Sequence, residues 1–222
     1  MDSAWGIIAQ TGAGFGSAGH TCRPKSARNS GAGSGAITRR PTRRPSRGSE
    51  SHICGLPCSL VRVTEFTVRP ARASDEVPLG TYGAALMRQH HDADPRRFLI
   101  VDHPEAGYGR FLVSMLADPD CFVWVAESSS EVVGYVFAEI GDTSWKDLRG
   151  PGGFIHDIYV GERARGQGMG AELLRAALSW IASKGMTQTV LFSKTGNASA
   201  QHLFAKMGFR QTMVEMTRDT DG

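Results

Sequence analysis

The sequence predicts one α/β (α+β) domain, a mixed sheet flanked by helices, over about 150 of its 222 residues. Two apolar runs, 122–127 and 132–140, stand either side of Ser128-Ser129-Ser130, which is a hairpin signal. A glycine run, Arg165-Gly166-Gln167-Gly168-Met169-Gly170, lies between a strand-like segment at 154–160 and a long amphipathic helix. In that helix Leu173, Leu174, Ala177, Leu178 and Ile181 recur at helical spacing.

The elements follow in order from residue 63. Residues 66–69 read as a short strand closed by Pro70. Ser74 or Asp75 caps a helix reaching about Gln89, and 90–104 form a polar loop or broken helix. A second helix covers about 108–117, and the hairpin comes next. Gly150-Pro151-Gly152-Gly153 leads into the strand 154–160. The amphipathic helix starts near Gly168 and stops at Gly185. A strand at 187–193 follows, then a helix capped by Asn197 and closed by Gly208. Residues 209–217 are predicted as a last strand.

The first 62 residues are of another kind. They are rich in Gly, Ser, Ala and Arg, and include Arg39-Arg40-Pro41-Thr42-Arg43-Arg44-Pro45. Beyond residues 5–9 they show no periodic apolar pattern, so they cannot bury enough surface to offset ordering entropy and are predicted disordered. They carry nine Lys+Arg against two Asp+Glu, whereas 63–222 carry 16 against 20. The overall charge of +3 therefore describes the tail, and the folded part shows no basic footprint for nucleic acid. Three readings of 1–62 stand: an extension upstream of the functional protein, an Arg- and Ser-rich transit peptide, or a basic arm. The first is favoured, because 63–70 read like the opening of a domain.

No stretch nears the ~18–20 apolar residues that cross a membrane. Of four cysteines only Cys121 falls in a domain strand, which fits a reducing cytoplasm rather than a disulfide framework. His52, Cys54 and Cys58 have irregular spacing and no second ligand pair, so no metal site is expected.

The glycine run is an anion site in principle, since bare N–H groups converge at the positive end of a helix dipole. Gly166-Gln167-Gly168-Met169-Gly170-Ala171 and Gly14-Phe15-Gly16-Ser17-Ala18-Gly19 both satisfy the dinucleotide pattern. Five residues, 161–165, separate the first from Val160, and the next strand ends in Phe192-Ser193-Lys194 without a carboxylate. The second is followed by Pro24 and more glycine instead of a helix. No Gly-Lys-Ser/Thr follows the run, which excludes a Walker loop. Instead Ile158-Tyr159-Val160, with Arg165, Gly168 and Gly170 at their spacing, resembles the acetyl-CoA motif of the GCN5-related N-acetyltransferase (GNAT) family. A second match follows in Asn197, Ala200, Leu203, Phe204, Gly208 and Phe209. The resemblance spans about 65–218 and implies a mostly antiparallel sheet that opens between the strands at 154–160 and 187–193.

It further implies that acetyl-CoA lies in this opening. The pantetheine arm would pair with main-chain groups of Ile158, Tyr159 and Val160. Arg165, Gly166, Gln167, Gly168, Met169 and Gly170 would hold the pyrophosphate, chiefly through backbone N–H groups. Asn197 would contact the arm, and Phe204 would lie near the sulfur.

Transfer to an amine needs the neutral form, which for a pKa near 10.4 is about one molecule in 2,500 at pH 7, a deficit of roughly 4.6 kcal/mol. His156 and Asp157, just before Ile158, are the candidate bases, histidine having the better ordinary value, near 6.5. Strand neighbours point to opposite faces, so one of the two is expected to face the acceptor. Phe204 stands where much of the family has a tyrosine acid, which leaves water, Tyr159, His202 or no acid for the departing thiolate. Tyr159 is expected to pack rather than donate a proton. Cys121 has no neighbouring base, and a covalent acetyl-enzyme is not expected. His90, His91, Asp92, Asp94, Asp102, His103 and Glu105, with Glu139 and Asp142, are a candidate anionic mouth for a cationic amine. The expected function is acetyl transfer from acetyl-CoA to a primary amine of a small molecule or peptide, with a homodimer left open. A catalytically silent acyl-CoA-binding module is the alternative.

Overall fold

The computed structural model describes residues 65–220; the expectations for 1–62, and for His52, Cys54 and Cys58 within them, lie outside the described residues. Five strands form one sheet in the order of the chain: β1 (Phe66–Pro70), β2 (Cys121–Ser128), β3 (Glu131–Gly141), β4 (Gly152–Val160) and β5 (Thr189–Leu191). The first four are antiparallel neighbours, and β5 lies parallel to β4. The mixed, mostly antiparallel sheet is as predicted. Ser129 and Ser130, with φ of 52° and 65°, make the tight turn between β2 and β3.

Helices cover both faces. On one, α1 (Glu76–Ala93) and α2 (Pro104–Ser114) bury Leu79, Leu86 and Leu112 against Val123, Val125, Tyr135, Phe137 and Tyr159. On the other, α3 (Met169–Ser183) and α4 (Ala198–Lys206) bury Leu173, Leu174, Ala177, Ile181, Ala200 and Phe204 against Val136, Ile155, Ile158 and Val160. Each buried Leu, Ile, Val or Phe among them contributes about 1.5–3 kcal/mol of burial free energy, and two faces of them stabilise a three-layer domain.

Several boundaries differ from the sequence reading. The first helix runs to Ala93, and Asp75 stands at its N-cap as expected but makes no side-chain bond to the helix. Its carboxylate accepts instead from Arg69, at 2.8 Å, and from the Arg72 N–H, also at 2.8 Å. The strand predicted at 187–193 is reduced to three residues. The predicted last strand, 209–217, is irregular: none of its backbone groups bonds to another strand. A three-residue β5 offers it little edge, and its Glu215 pairs with Arg97 while Asp219 beyond it pairs with Arg96 at 2.6 Å. Among the described residues no helix is long and apolar enough to cross a membrane.

Candidate active site

The pairing of β3 with β4 slips by one residue. Phe137 faces Asp157 and Ala138 faces Ile155, so His156 is the extra residue of a β-bulge. A bulge breaks the alternation of side chains. His156 and Asp157 consequently share the face under α1 and α2, whereas alternation had put only one of them there. The His156 ring stacks on Phe137 with centroids 5.0 Å apart, and Asp157 accepts from the Tyr135 hydroxyl at 2.9 Å. Ile155 and Ile158 point into the opposite core.

Asp157 is 2% exposed and accepts a second hydrogen bond, at 2.7 Å, from the Tyr108 hydroxyl of α2. Burial pushes its carboxyl up to about 6, although the two hydroxyls pull the other way. Tyr108 reaches it because α1 has Gly83 beneath the ring, where a Cβ would come within 2.1 Å of Tyr108 Cδ1. His156 is 7% exposed, and its Nε2 lies 3.0 Å from Glu139 Oε1. The two atoms are poorly aligned, and Nε2 makes no hydrogen bond among the described residues, so the contact is electrostatic. The neighbouring His156 holds the Glu139 carboxyl below its ordinary value. Tyr108 and Tyr135 escaped the sequence reading, and Glu139 entered it only as part of a charged rim. Tyr135 sits at an inward position of its strand, but its partner is 22 residues away and no local pattern announces the pair.

Beyond Ile155 the β4 edge on the β5 side has no strand partner, because β4 and β5 pair only over 153–155 and 189–191. This is the opening expected between the two strands. A short 3₁₀ turn, Glu162–Ala164, then leads to the glycine run. Arg165 folds back, its Nε donating to Val160 O at 3.0 Å while a terminal nitrogen approaches the Tyr159 hydroxyl at 3.4 Å. Its side chain therefore braces the loop. Tyr159 packs against Tyr82 with centroids 5.7 Å apart. Gly166 and Gly168 have φ of 76° and 87°, a region that favours glycine, and Gly168 caps α3. Gly170 is helical, and a Cβ there would make only ordinary contacts with Leu203 and Val160.

Among the described residues no protein acceptor takes the backbone N–H of Gly166, Gln167, Gly168, Met169 or Gly170. Four of these residues, Gly166, Gly168, Met169 and Gly170, border a cavity of about 150 Å³ whose other walls include Val160, Ala164 and Leu203. The Met169 side chain is buried in the core, so Met169 presents main chain to the cavity, and the Gln167 side-chain amide is turned to Arg163 O at 3.3 Å. Asn197 is buried, and its Oδ1 caps α4 by accepting from the Ala200 N–H at 3.2 Å. Phe204 is core, edge-on to Phe209 at 6.0 Å. Unpaired donors at the start of a helix suit a diphosphate, and a bare strand edge suits an arm that carries amides.

The polar connection between α1 and α2 is largely self-satisfied. Glu105 pairs with Arg88, Asp94 accepts from the N–H groups of Arg96 and Arg97, and His90 is buried with Nδ1 2.9 Å from Leu86 O. Burial pushes the Cys121 thiol up to about 12, far from a nucleophilic thiolate at neutral pH.

Residues 83–209 match the model of the acetyltransferase (GNAT) family, and the chain belongs to that family. It is 33% identical over 85 residues to L-methionine sulfoximine/L-methionine sulfone acetyltransferase of Pseudomonas paraeruginosa, an alignment covering 38% of this chain and 47% of the relative. The chain thus spans about half the length of that curated relative. The fold is that of a mutant of the BH1408 protein from Bacillus halodurans, with TM-score 0.61, 18% identity, and 69% of this chain and 98% of the other covered. A predicted acetyltransferase of Clostridium acetobutylicum, whose structure was determined with acetyl-CoA, matches with TM-score 0.51 at 18% identity, over 69% of this chain and 96% of the other.

Proposed function

We propose that the chain is an N-acetyltransferase that moves an acetyl group from acetyl-CoA to a primary amine of a small molecule or peptide by direct transfer. The observation that carries this reading is the row of five unpaired N–H groups beside the free edge of β4. Acetyl-CoA supplies an activated acyl group on a thiolate leaving group. The N–H groups of 166–170 hold its diphosphate, and the 158–160 edge aligns its arm. The Val160 carbonyl is already taken by Arg165, so the edge has one acceptor fewer to give. Asn197 fixes the start of α4 beside the arm, and Phe204 closes the wall behind it.

His156 is the base in this reading. Its Nε2 takes the proton of the incoming amine, and Glu139 at 3.0 Å stabilises the imidazolium that results. Asp157 is the second candidate, a buried carboxyl that ionises near pH 6. Neither Phe204 nor the Arg165-bound Tyr159 is placed to protonate a thiolate readily, and a leaving group of pKa near 8.5 tolerates departure into water. An amino acid is among the acceptors this reading leaves open, since the Pseudomonas relative is named for L-methionine sulfoximine and L-methionine sulfone.

Thiol release from acetyl-CoA across a panel of amines tests the proposal. At least one amine is expected to accelerate release, and His156→Ala to lower kcat by 10²-fold or more. Phe204→Tyr is expected to match or exceed the parent rate. If acetyl-CoA binds and no amine accelerates release, the chain is a silent acyl-CoA-binding module. An unchanged kcat in His156→Ala removes the base assignment.

A further inference from the structure

The sheet face that carries His156 continues past the reach of α2. There the connection between β3 and β4, residues 142–151, folds back over it. Ser144 and Arg149 exchange backbone hydrogen bonds of 3.0 and 3.1 Å, closing the connection into a small loop. Leu148 takes a φ of 51° within it. This closure brings the Arg149 guanidinium carbon to 3.8 Å from the centroid of the Phe154 ring. Phe154 is the cross-strand neighbour of Glu139, and Glu139 in turn approaches His156.

One buried nitrogen in this stretch is a donor without a hydrogen-bond acceptor, Arg149 Nε. The nearest carboxylate to Arg149 is Asp147, an exposed partner at 3.3 Å that meets a terminal nitrogen and leaves Nε unmatched. A buried donor without an acceptor is a cost to the free protein that a ligand oxygen removes. Arg149 also lines an open cavity of about 270 Å³ with Thr143, Ser144 and Gly150, rimmed by Trp145, 86% exposed, and Leu148, 88% exposed. Large apolar side chains so open to water at a cavity mouth suit the apolar part of a bound molecule.

We propose that this pocket recognises the acceptor, and that the acceptor is an α-amino acid with an apolar side chain. Its ammonium group sits against Glu139, next to His156. Its carboxylate pairs with the Arg149 guanidinium, including Nε, and its side chain rests on Trp145 and Leu148. Opposite charges on the two protein groups match a zwitterion in one orientation only. A polyamine or an aminoglycoside would carry a further cation toward Arg149 and leave Nε unmatched. The assignment rests on the reading of the chain as an acetyltransferase for its role in turnover, but the binding it describes is measurable without turnover.

The test is calorimetric titration of the full chain, in the presence of CoA, with L-phenylalanine and with phenethylamine, the same molecule without its carboxylate. The parent protein is expected to bind phenylalanine at least tenfold more tightly. Arg149→Gln is expected to abolish that preference while changing phenethylamine affinity less than twofold, and Arg149→Lys to restore part of it. Equal binding of the two probes, or of neither, by the parent overturns the proposal. So does a preference that survives in Arg149→Gln, or an equal loss of both probes in it, which would mark Arg149 as a brace of the loop. Absence of thiol release with every amine overturns the acetyltransferase reading and leaves this binding result standing.

Discussion

His156 and Asp157 are adjacent and share a face, yet their surroundings differ. His156 reaches a partly exposed carboxylate, whereas Asp157 is enclosed and held by two tyrosine hydroxyls. Enclosure keeps the Asp157 proton on in the folded chain up to about pH 6, against 3.8 in the unfolded one. The folded state then binds more protons between those values, so stability falls as pH rises through that window. The cost is complete above about pH 6, at roughly 3 kcal/mol for a shift of this size. Asp157→Asn carries no such charge. The free energy of unfolding of Asp157→Asn relative to the parent, measured in urea, is therefore expected to move in the variant's favour by up to about 3 kcal/mol from pH 4 to pH 7.5. A pH-independent difference would mean that Asp157 ionises as an ordinary carboxyl. At this scale the two candidate bases were legible in the sequence as polar residues in a strand otherwise apolar. Strict alternation along a strand hid their shared face, because a bulge is a property of two strands and one strand's sequence does not announce it.

The elements position these residues by close approach. α1 and α2 meet almost backbone to backbone, and Gly83 is what lets the Tyr108 ring lie between α1 and Asp157. Gly83→Ala would drive a methyl group into that ring and is expected to destabilise the chain by about 1–3 kcal/mol. Gly107, also helical but with open space within 4 Å of where its Cβ would stand, makes the comparison: Gly107→Ala is expected to stabilise by about 0.5–1 kcal/mol. Equal effects in the two, read by urea denaturation, would contradict this packing account. The helices were legible from periodicity and from Asn197, Gly185 and Gly208, and the hairpin from its three serines. Residues 209–217 were not. Their composition reads as a strand, but a strand needs an edge, and here the edge is three residues long while Glu215 is drawn to Arg97.

Across the molecule, one sheet separates two helical layers and divides the proposed site between them. The layer of α3 and α4 supplies the glycine loop, the N–H donors and the wall built on Phe204. The layer of α1 and α2, with the β3–β4 connection that carries Arg149, covers the face of His156, Asp157 and Glu139. β4 runs between the two and carries both the base candidates and the free edge. The proposed donor half was legible in the sequence because its motif is local: six consecutive residues at a strand-to-helix junction. The proposed acceptor half was readable only in part, as His156, Asp157 and Glu139, because Tyr108, Tyr135 and Arg149 come from α2, β3 and a loop and meet them only in the fold. The claim on which the rest depends is that the glycine loop binds acetyl-CoA. Gly168 has a φ of 87° with open space where a Cβ would point, so Gly168→Ala adds local strain and fills part of the place assigned to the diphosphate. Calorimetric titration with acetyl-CoA is expected to show micromolar binding to the parent and binding at least tenfold weaker in Gly168→Ala, with the melting transition still cooperative. Equal affinity in the two proteins, or no binding by the parent, would contradict it.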